Sequence, residues 1–188
     1  MKNVVTPRWN PATHVTISPE DYEKQVVSWL SSAGAQLPKF SVSHLEKVPG
    51  LGGEYSLDGW ATFEIFEGTK ISVLIECKRH GRAVERDLVH VVHSKAQAVK
   101  AQKAIIFSTS GFQSGAVEFA SSVGIALVVF VSGQMTYETR SAEPVLESSY
   151  PPDLPAFAGQ FVRTSGTKTT ISYLADDRLC PLLDWLTS

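Results

Sequence analysis

The chain has 188 residues, of which 43% are apolar and 19% charged, and a formal net charge of −2. That length suffices for one full domain with a sizeable core, and the composition is that of a folded globular protein, which excludes a disordered or low-complexity chain. Two cysteines, Cys77 and Cys180, give no disulfide framework and point to a reducing, cytoplasmic setting.

In chain order, residues 1–17 read as an irregular N-terminal arm broken by Pro7 and Pro11, with no apolar core that would make a secretory signal. A helix is predicted from Pro19 to Ala33. Ser18 is its candidate N-cap, Pro19 suits its first position, and Gly34 its stop. Tyr22, Val26, Trp29 and Leu30 form its apolar stripe. Residues 50–56 read as a glycine-rich loop. Two strands follow, Leu57 to Phe66 and Lys70 to Lys78, turning through Glu67-Gly68-Thr69. Ala61, Phe63 and Ile65 share one face, as do Ile71, Val73, Ile75 and Cys77. The opposite faces then hold Asp58, Thr62 and Glu64 with Ser72, Glu76 and Lys78. A three-residue turn centred on Gly68 sets position 58 opposite position 78.

Residues 83–101 read as an amphipathic helix burying Val84, Leu88, Val91, Val92, Ala98 and Val99. A buried strand, Lys103 to Thr109, a helix, Phe112 to Val123, and a second buried strand, Ile125 to Val131, complete an α/β order that predicts a mixed sheet flanked by helices. The run Ile125 to Val131 is too short to cross a bilayer, so no membrane association is expected. The prolines between 143 and 155 suggest a linker. Beyond it, Gly159 to Thr164 and Lys168 to Leu174 suggest a hairpin, and 176–187 a short helix.

The chemistry concentrates at Ile75-Glu76-Cys77-Lys78 with Asp58 before it. Residues two apart on a strand face the same side, and a second carboxylate on the paired strand completes an oxygen-rich cluster of mixed charge. Two carboxylates suit magnesium, which keeps several of its waters for a substrate. A cation there would act as a Lewis acid on a phosphoryl oxygen, while a compact lysine charge could orient an attacking water and stabilise developing negative charge. Spacing alone allows an equal alternative, in which the three groups are a buried ion pair that merely fixes the sheet. Lys78, Arg79, His80, Arg82 and Arg86 form a candidate basic strip within an otherwise acidic chain. His90 and His93, three apart on a helix, have no companion ligands and read as packed or solvated histidines. Cys77 points to the core side and reads as a small core residue.

Asp58 followed by Glu76-Cys77-Lys78-Arg79 resembles the PD-(D/E)XK nuclease signature, and more narrowly the Mrr-like restriction endonucleases. The resemblance runs from about Pro19 to Gly133. It includes Pro19-Glu20-Asp21-Tyr22-Glu23 and continues through Lys103-Ala104-Ile105-Ile106-Phe107-Ser108-Thr109-Ser110-Gly111-Phe112-Gln113-Ser114-Gly115-Ala116. It implies a restriction-endonuclease-like fold over 18–140, with 141–188 as a linker and small C-terminal extension. It implies a metal-dependent deoxyribonuclease, acting in restriction or defence against foreign DNA, with Mg2+ as cofactor and Mn2+ as substitute. Asp58, Glu76 and the backbone carbonyl of Cys77 would hold the metal, and Lys78 would be the catalytic lysine. Glu23 matches the family's additional acidic residue. Gln97 is close to where relatives carry a polar site residue. Arg79, His80, Arg82, Arg86 and Ser110 are the candidate DNA contacts, Ser110 because Ser110-Gly111-Phe112 begins a helix that could hold a phosphate on backbone N–H groups. Cutting both strands implies a homodimer. The loop Gly52-Gly53-Glu54-Tyr55-Ser56-Leu57 departs from the doubled Gly-Asp pattern of Mrr relatives, and residues 141–188, which match nothing familiar, could dock a partner protein. The alternative is a nuclease-fold module that binds nucleic acid or a partner without useful catalysis.

Overall fold

The computed structural model describes residues 17–66 and 68–132 (130–132 as backbone), the backbone of 157–165 and 168–174, and Leu186. The N-terminal arm, the proline-rich linker and all but Leu186 of the expected terminal helix lie outside the described residues.

The elements are α1 (Pro19–Ala33), β1 (Ser41–Gly50), β2 (Gly53–Ile65), β3 (Thr69–Lys78), α2 (Arg86–Ala98), β4 (Lys103–Ser108), α3 (Ser114–Val123), β5 (Ala126–Ser132), β6 (Phe157–Ser165) and β7 (Lys168–Leu174). Strands β1 to β5 form a mixed sheet flanked by helices, a restriction-endonuclease-like α/β fold, and β6 and β7 extend it to a seven-stranded sheet in chain order. Pairing is antiparallel except for the central β3–β4 and β4–β5 pairs, which are parallel and joined through α2 and α3. The expected C-terminal hairpin is β6–β7, and it pairs along β5.

Helix α1 begins as the sequence indicates. The Ser18 side chain accepts the Asp21 N–H, with Pro19 in the first turn. Tyr22, Val26, Trp29 and Leu30 face the sheet and pack on Ala61, Phe63, Val73, Ile75, Cys77, Ile105 and Phe107. Fully burying one such aliphatic side chain contributes about 1.5–3 kcal/mol. The other face of the sheet packs Leu74, Ala104, Ile106 and Leu127 against Val89, Val92 and Ala96 of α2 and Ala116 and Ala120 of α3. Two apolar clusters thus clamp β3 and β4 from both sides, which is why these strands read as continuous apolar runs.

Several expectations are corrected. Residues 50–56 are not one loop: Gly50 ends β1 and Gly53 begins β2, leaving a tight Leu51-Gly52 turn. Helix α2 starts at Arg86 rather than 83, because Val84 is extended and bridges Phe112. Val91 is 52% exposed instead of buried, since Val89, Val92 and Ala96 set the buried stripe. Helix α3 starts at Ser114, two residues later than expected, and ends at Gly124 with φ +73°. The β2–β3 turn comes one residue early, with Ile65 paired to Thr69 and Phe66 at φ +48°. That shift moves the register by two, so the expected pairing of position 58 with 78 does not form, and the ladder ends at Gly59 with Ile75. An even shift leaves the residues paired between Gly59 and Ile65 on their expected faces.

Candidate active site

The site is built at the end of the β2–β3 ladder. The last β2–β3 pair is Gly59 with Ile75, whereas β3 runs on beside β4 through Glu76, Cys77 and Lys78. Gly59 permits the close approach at that last pair, since a Cβ there would stand 3.2 Å from Ile75. Beyond it the strands part, and Asp58 spans the gap with its side chain, Oδ2 accepting the Cys77 N–H at 2.7 Å. The N–H and C=O of one strand residue point to the same edge, so the Cys77 carbonyl also faces β2 past the last pair.

The β1–β2 hairpin breaks at the same level. His44 pairs with Gly59 and Glu46 with Leu57, while Leu45 and Asp58 between them drop out of the ladder. Leu45 takes a left-handed φ of +51°, a strained conformation for a branched side chain. Across this break the inside–outside alternation reverses. Ala61 and Phe63 of β2 pack on the α1 side, whereas Tyr55 and Leu57 pack on the α2–α3 side. Asp58 sits at the reversal, and the strain at Leu45 accompanies it.

Glu76 is 3% exposed and carries an ion pair on each oxygen. Lys78 Nζ lies 2.6 Å from Oε1, and Lys95 Nζ, from α2, lies 2.9 Å from Oε2. Burial alone would push the Glu76 carboxyl up, but the two ammoniums outweigh it and hold it below the usual glutamate value. Lys78 shows the reciprocal balance. Burial works against its charge, and the Glu76 hydrogen bond and charge win, raising it above the usual lysine value. Among the described residues no ammonium is hydrogen-bonded to Asp58. Burial and the charge of Glu76 raise its carboxyl above the usual aspartate value, and the Cys77 N–H offsets this only in part. Glu23, on α1, binds His44 Nε2 at 2.9 Å, and its charge also disfavours ionisation of Asp58. Asp58, Glu76, Lys78 and Glu23 therefore share one electrostatic neighbourhood. The Cys77 thiol is buried and pushed well up, which agrees with a core role.

Gln97 is placed differently. Its exposed amide bonds to His93 on the outer side of α2, and Lys95 is the helix residue that meets Glu76. Lys95 and His44 are the two residues the sequence reading missed. The Glu76–Lys95 contact crosses from strand to helix, and no spacing rule reaches across that gap. His44 lies in β1, which carries no strong alternation.

The segment after Lys78 is pinned rather than loose. Arg79 Nε donates to the Ile17 carbonyl at 2.9 Å. Thr109 Oγ1 accepts the His80 N–H and donates to the His80 carbonyl, both at 3.0 Å. Ser110 is fully buried, with its hydroxyl donating to the Arg82 carbonyl and its N–H to Ser108 Oγ. Helix α3 begins four residues later, with Gln113 as its cap residue. The expectation that Ser110 meets a phosphate is thus corrected, because both its polar groups are spent inside the fold. His80, Arg82 and Arg86 are exposed. Arg86 donates to His90 and lies 5.4 Å from the Phe119 ring centroid, on which His90 also stacks. An open cleft of about 300 Å³ lies between this segment and the first turns of α2, with His80, Arg82, Val84, Leu88 and Val91 among its walls.

Residues 15–134, well over half the chain, match the Mrr_cat restriction endonuclease family model, and the chain belongs to that family. It is thereby a member of the PD-(D/E)XK-like restriction-endonuclease superfamily. Among solved structures, the protein of unknown function AF1548 is similar over 58% of this chain and 57% of its own, at 22% identity and a TM-score of 0.50, which supports the fold. The DNA modification-dependent restriction endonuclease AspBHI is similar over 61% of this chain and 36% of its own, at 13% identity and a TM-score of 0.37. The matched part is therefore less than two thirds of either structure's length. No curated protein matches the chain. Among the described residues, no helix is long and apolar enough to cross a membrane.

Proposed function

We propose that the chain is a metal-dependent endonuclease that hydrolyses DNA phosphodiester bonds, in restriction or defence against foreign DNA. The observation that carries the reading is the meeting of Asp58, Glu76 and Lys78 where β2 parts from β3. An ion pair that only stabilised the sheet would not need the charge of Asp58, which is disfavoured there even though its carboxyl accepts the Cys77 N–H. Carboxyls whose charge is disfavoured by burial and a like-charged neighbour cluster at functional sites.

The residues fit a hard divalent cation. Asp58 and Glu76 repel one another across the strand gap, and a cation shared between them relieves that repulsion. Asp58, Glu76 and the Cys77 carbonyl are all oxygen donors, which suits Mg2+ or Mn2+. Bound there, the cation would supply Lewis acidity at a phosphoryl oxygen. Lys78 would orient the attacking water and stabilise negative charge on the phosphoryl oxygens. Glu23, fixed by His44, would add to the negative field that attracts the cation. His80, Arg82 and Arg86 would meet the DNA backbone, with Arg79 bracing their segment from behind. Two copies would be needed to cut both strands, and the region 141–188 would dock a protein partner. The setting would be the cytoplasm.

A second reading, a nuclease-fold module that binds nucleic acid or a partner protein without useful catalysis, is favoured by one observation: both Glu76 oxygens are already taken by lysines.

Supercoiled plasmid, incubated with the purified protein and Mg2+, Mn2+ or chelator beside Lys78→Ala, separates the two. The nuclease reading expects metal-dependent nicking or linearisation that disappears in the variant. No cleavage of methylated or unmodified DNA would reject it in favour of the binding module.

A further inference from the structure

We infer that Lys95 is a positioning residue whose ion pair with Glu76 competes with a divalent cation for that carboxylate. The inference rests on the metal site proposed above. Glu76 is 4% exposed in its side chain and needs a countercharge to stay ionised. Lys78, two residues along the same strand, already provides one on Oε1 at 2.6 Å. Lys95 provides a second on Oε2 at 2.9 Å, from a different element. One carboxylate thus holds two ammoniums, while Asp58 is left with the charge of Lys78 alone, which does not outweigh burial and Glu76. A cation placed between Asp58 and Glu76 would redistribute this balance, because like charges cannot crowd one carboxylate without cost.

The two lysines are not equivalent in this exchange. Lys78 stands on β3 two residues from Glu76, where it pairs with Ser108 of β4. Lys95 reaches in from α2, whose neighbouring positions Val92, Ala96 and Val99 fix the helix against the sheet. Its side chain is 26% exposed, so the ammonium can swing to solvent while the stem stays packed. What separates the two is the element each stands on: Lys78 shares the strand of Glu76 and has a proposed role in the chemistry, whereas Lys95 comes from α2, which leaves Lys95 as the group to yield to a cation.

The test is Mn2+ binding to the full chain without DNA, by calorimetry, in wild type, Lys95→Met, Lys95→Gln and Lys95→Arg. Methionine keeps the packed stem and removes the charge. Glutamine removes the charge but keeps a hydrogen-bond donor, which guards against a folding defect in the methionine variant. Both are expected to bind Mn2+ about 5-fold or more tightly than wild type, the lower end of ordinary site–site coupling. Arginine restores the charge and should return the affinity to the wild-type range. A purely structural role for Lys95 would give the opposite or no change. Wild-type binding with equal or weaker affinity in both neutral variants would overturn the inference and leave the metal site standing. No Mn2+ binding in any of the four proteins would overturn the metal site and the inference with it.

Discussion

The Asp58 carboxylate accepts the backbone N–H of Cys77 at 2.7 Å where the β2–β3 ladder has already ended at Gly59 and Ile75. A side chain thereby stands in for the neighbouring strand. The bond aims Asp58 at the backbone between Glu76 and Lys78 and ties the three residues to one level of the sheet. It also fixes a carboxylate where burial and Glu76 oppose its charge.

Asp58→Asn keeps an acceptor for the Cys77 N–H and removes the disfavoured charge. The variant is expected to be more stable than wild type at neutral pH, by roughly 0.5–2 kcal/mol, and to lose metal-dependent cleavage. Urea unfolding reads the first effect through the midpoint. A lower midpoint would mean that the ionised carboxylate stabilises the sheet and that Asp58 is structural.

Glu76→Ala should have the opposite sign. It leaves Lys78 and Lys95, each about three-quarters buried, facing one another without their shared counterion. Breaking a fully buried pair costs about 3–5 kcal/mol, and the partial exposure of both lysines reduces this to roughly 2 kcal/mol. Thermal unfolding checks it. An unchanged midpoint would show that both ammoniums find solvent freely.

The pH dependence follows from the two carboxyls. Asp58 is raised, so the folded state holds its proton more tightly than the unfolded chain. Its contribution favours folding below the unfolded aspartate pKa and is lost as pH rises through the folded value. Glu76 is lowered, so its contribution is present above the ordinary glutamate pKa and is lost as pH falls through its folded value. Cation binding requires Asp58 ionised. Mn2+ affinity should therefore begin to fall, on acidification, at a pH above the ordinary aspartate pKa of about 3.9, and Asp58→Asn should lack that acid limb. An identical acid limb in both proteins would assign it to another group.

Gly124 closes α3 with φ +73°, a left-handed cap that leads straight into β5. Gly124→Ala keeps open space around its Cβ and should cost about 1 kcal/mol from backbone strain alone. A thermal melt that matched wild type would show that the cap relaxes.

What could be read in the sequence and what could not divide along physical lines. Helix α1, with Ser18, Pro19 and its stripe, was legible because cap and periodicity agree. The faces of β3 and of β2 from Gly59 onward were legible because alternation there is clean, whereas the reversal at Asp58 was not. The register was not, since Phe66 enters a left-handed turn that nothing in its side chain favours. Strand β1 escaped notice because an edge strand needs little apolar alternation and tolerates Pro49. Asp58, Glu76 and Lys78 were visible as a local pattern joined by one hairpin. Lys95 was invisible because only the packing of α2 on the sheet brings it to Glu76. Gln97, two positions on, falls on the outer side of the same helix.

The central claim is that Lys78 belongs to a working hydrolytic site, and single-turnover cleavage of a labelled DNA duplex by wild type and Lys78→Ala tests it most directly. With Mg2+ saturating and DNA binding measured alongside, the variant should bind comparably and cleave about 10²–10³-fold more slowly, the usual cost of losing one transition-state charge donor. Equal cleavage rates in the two proteins would contradict the account and leave the Glu76–Lys78 pair as a strut of the sheet.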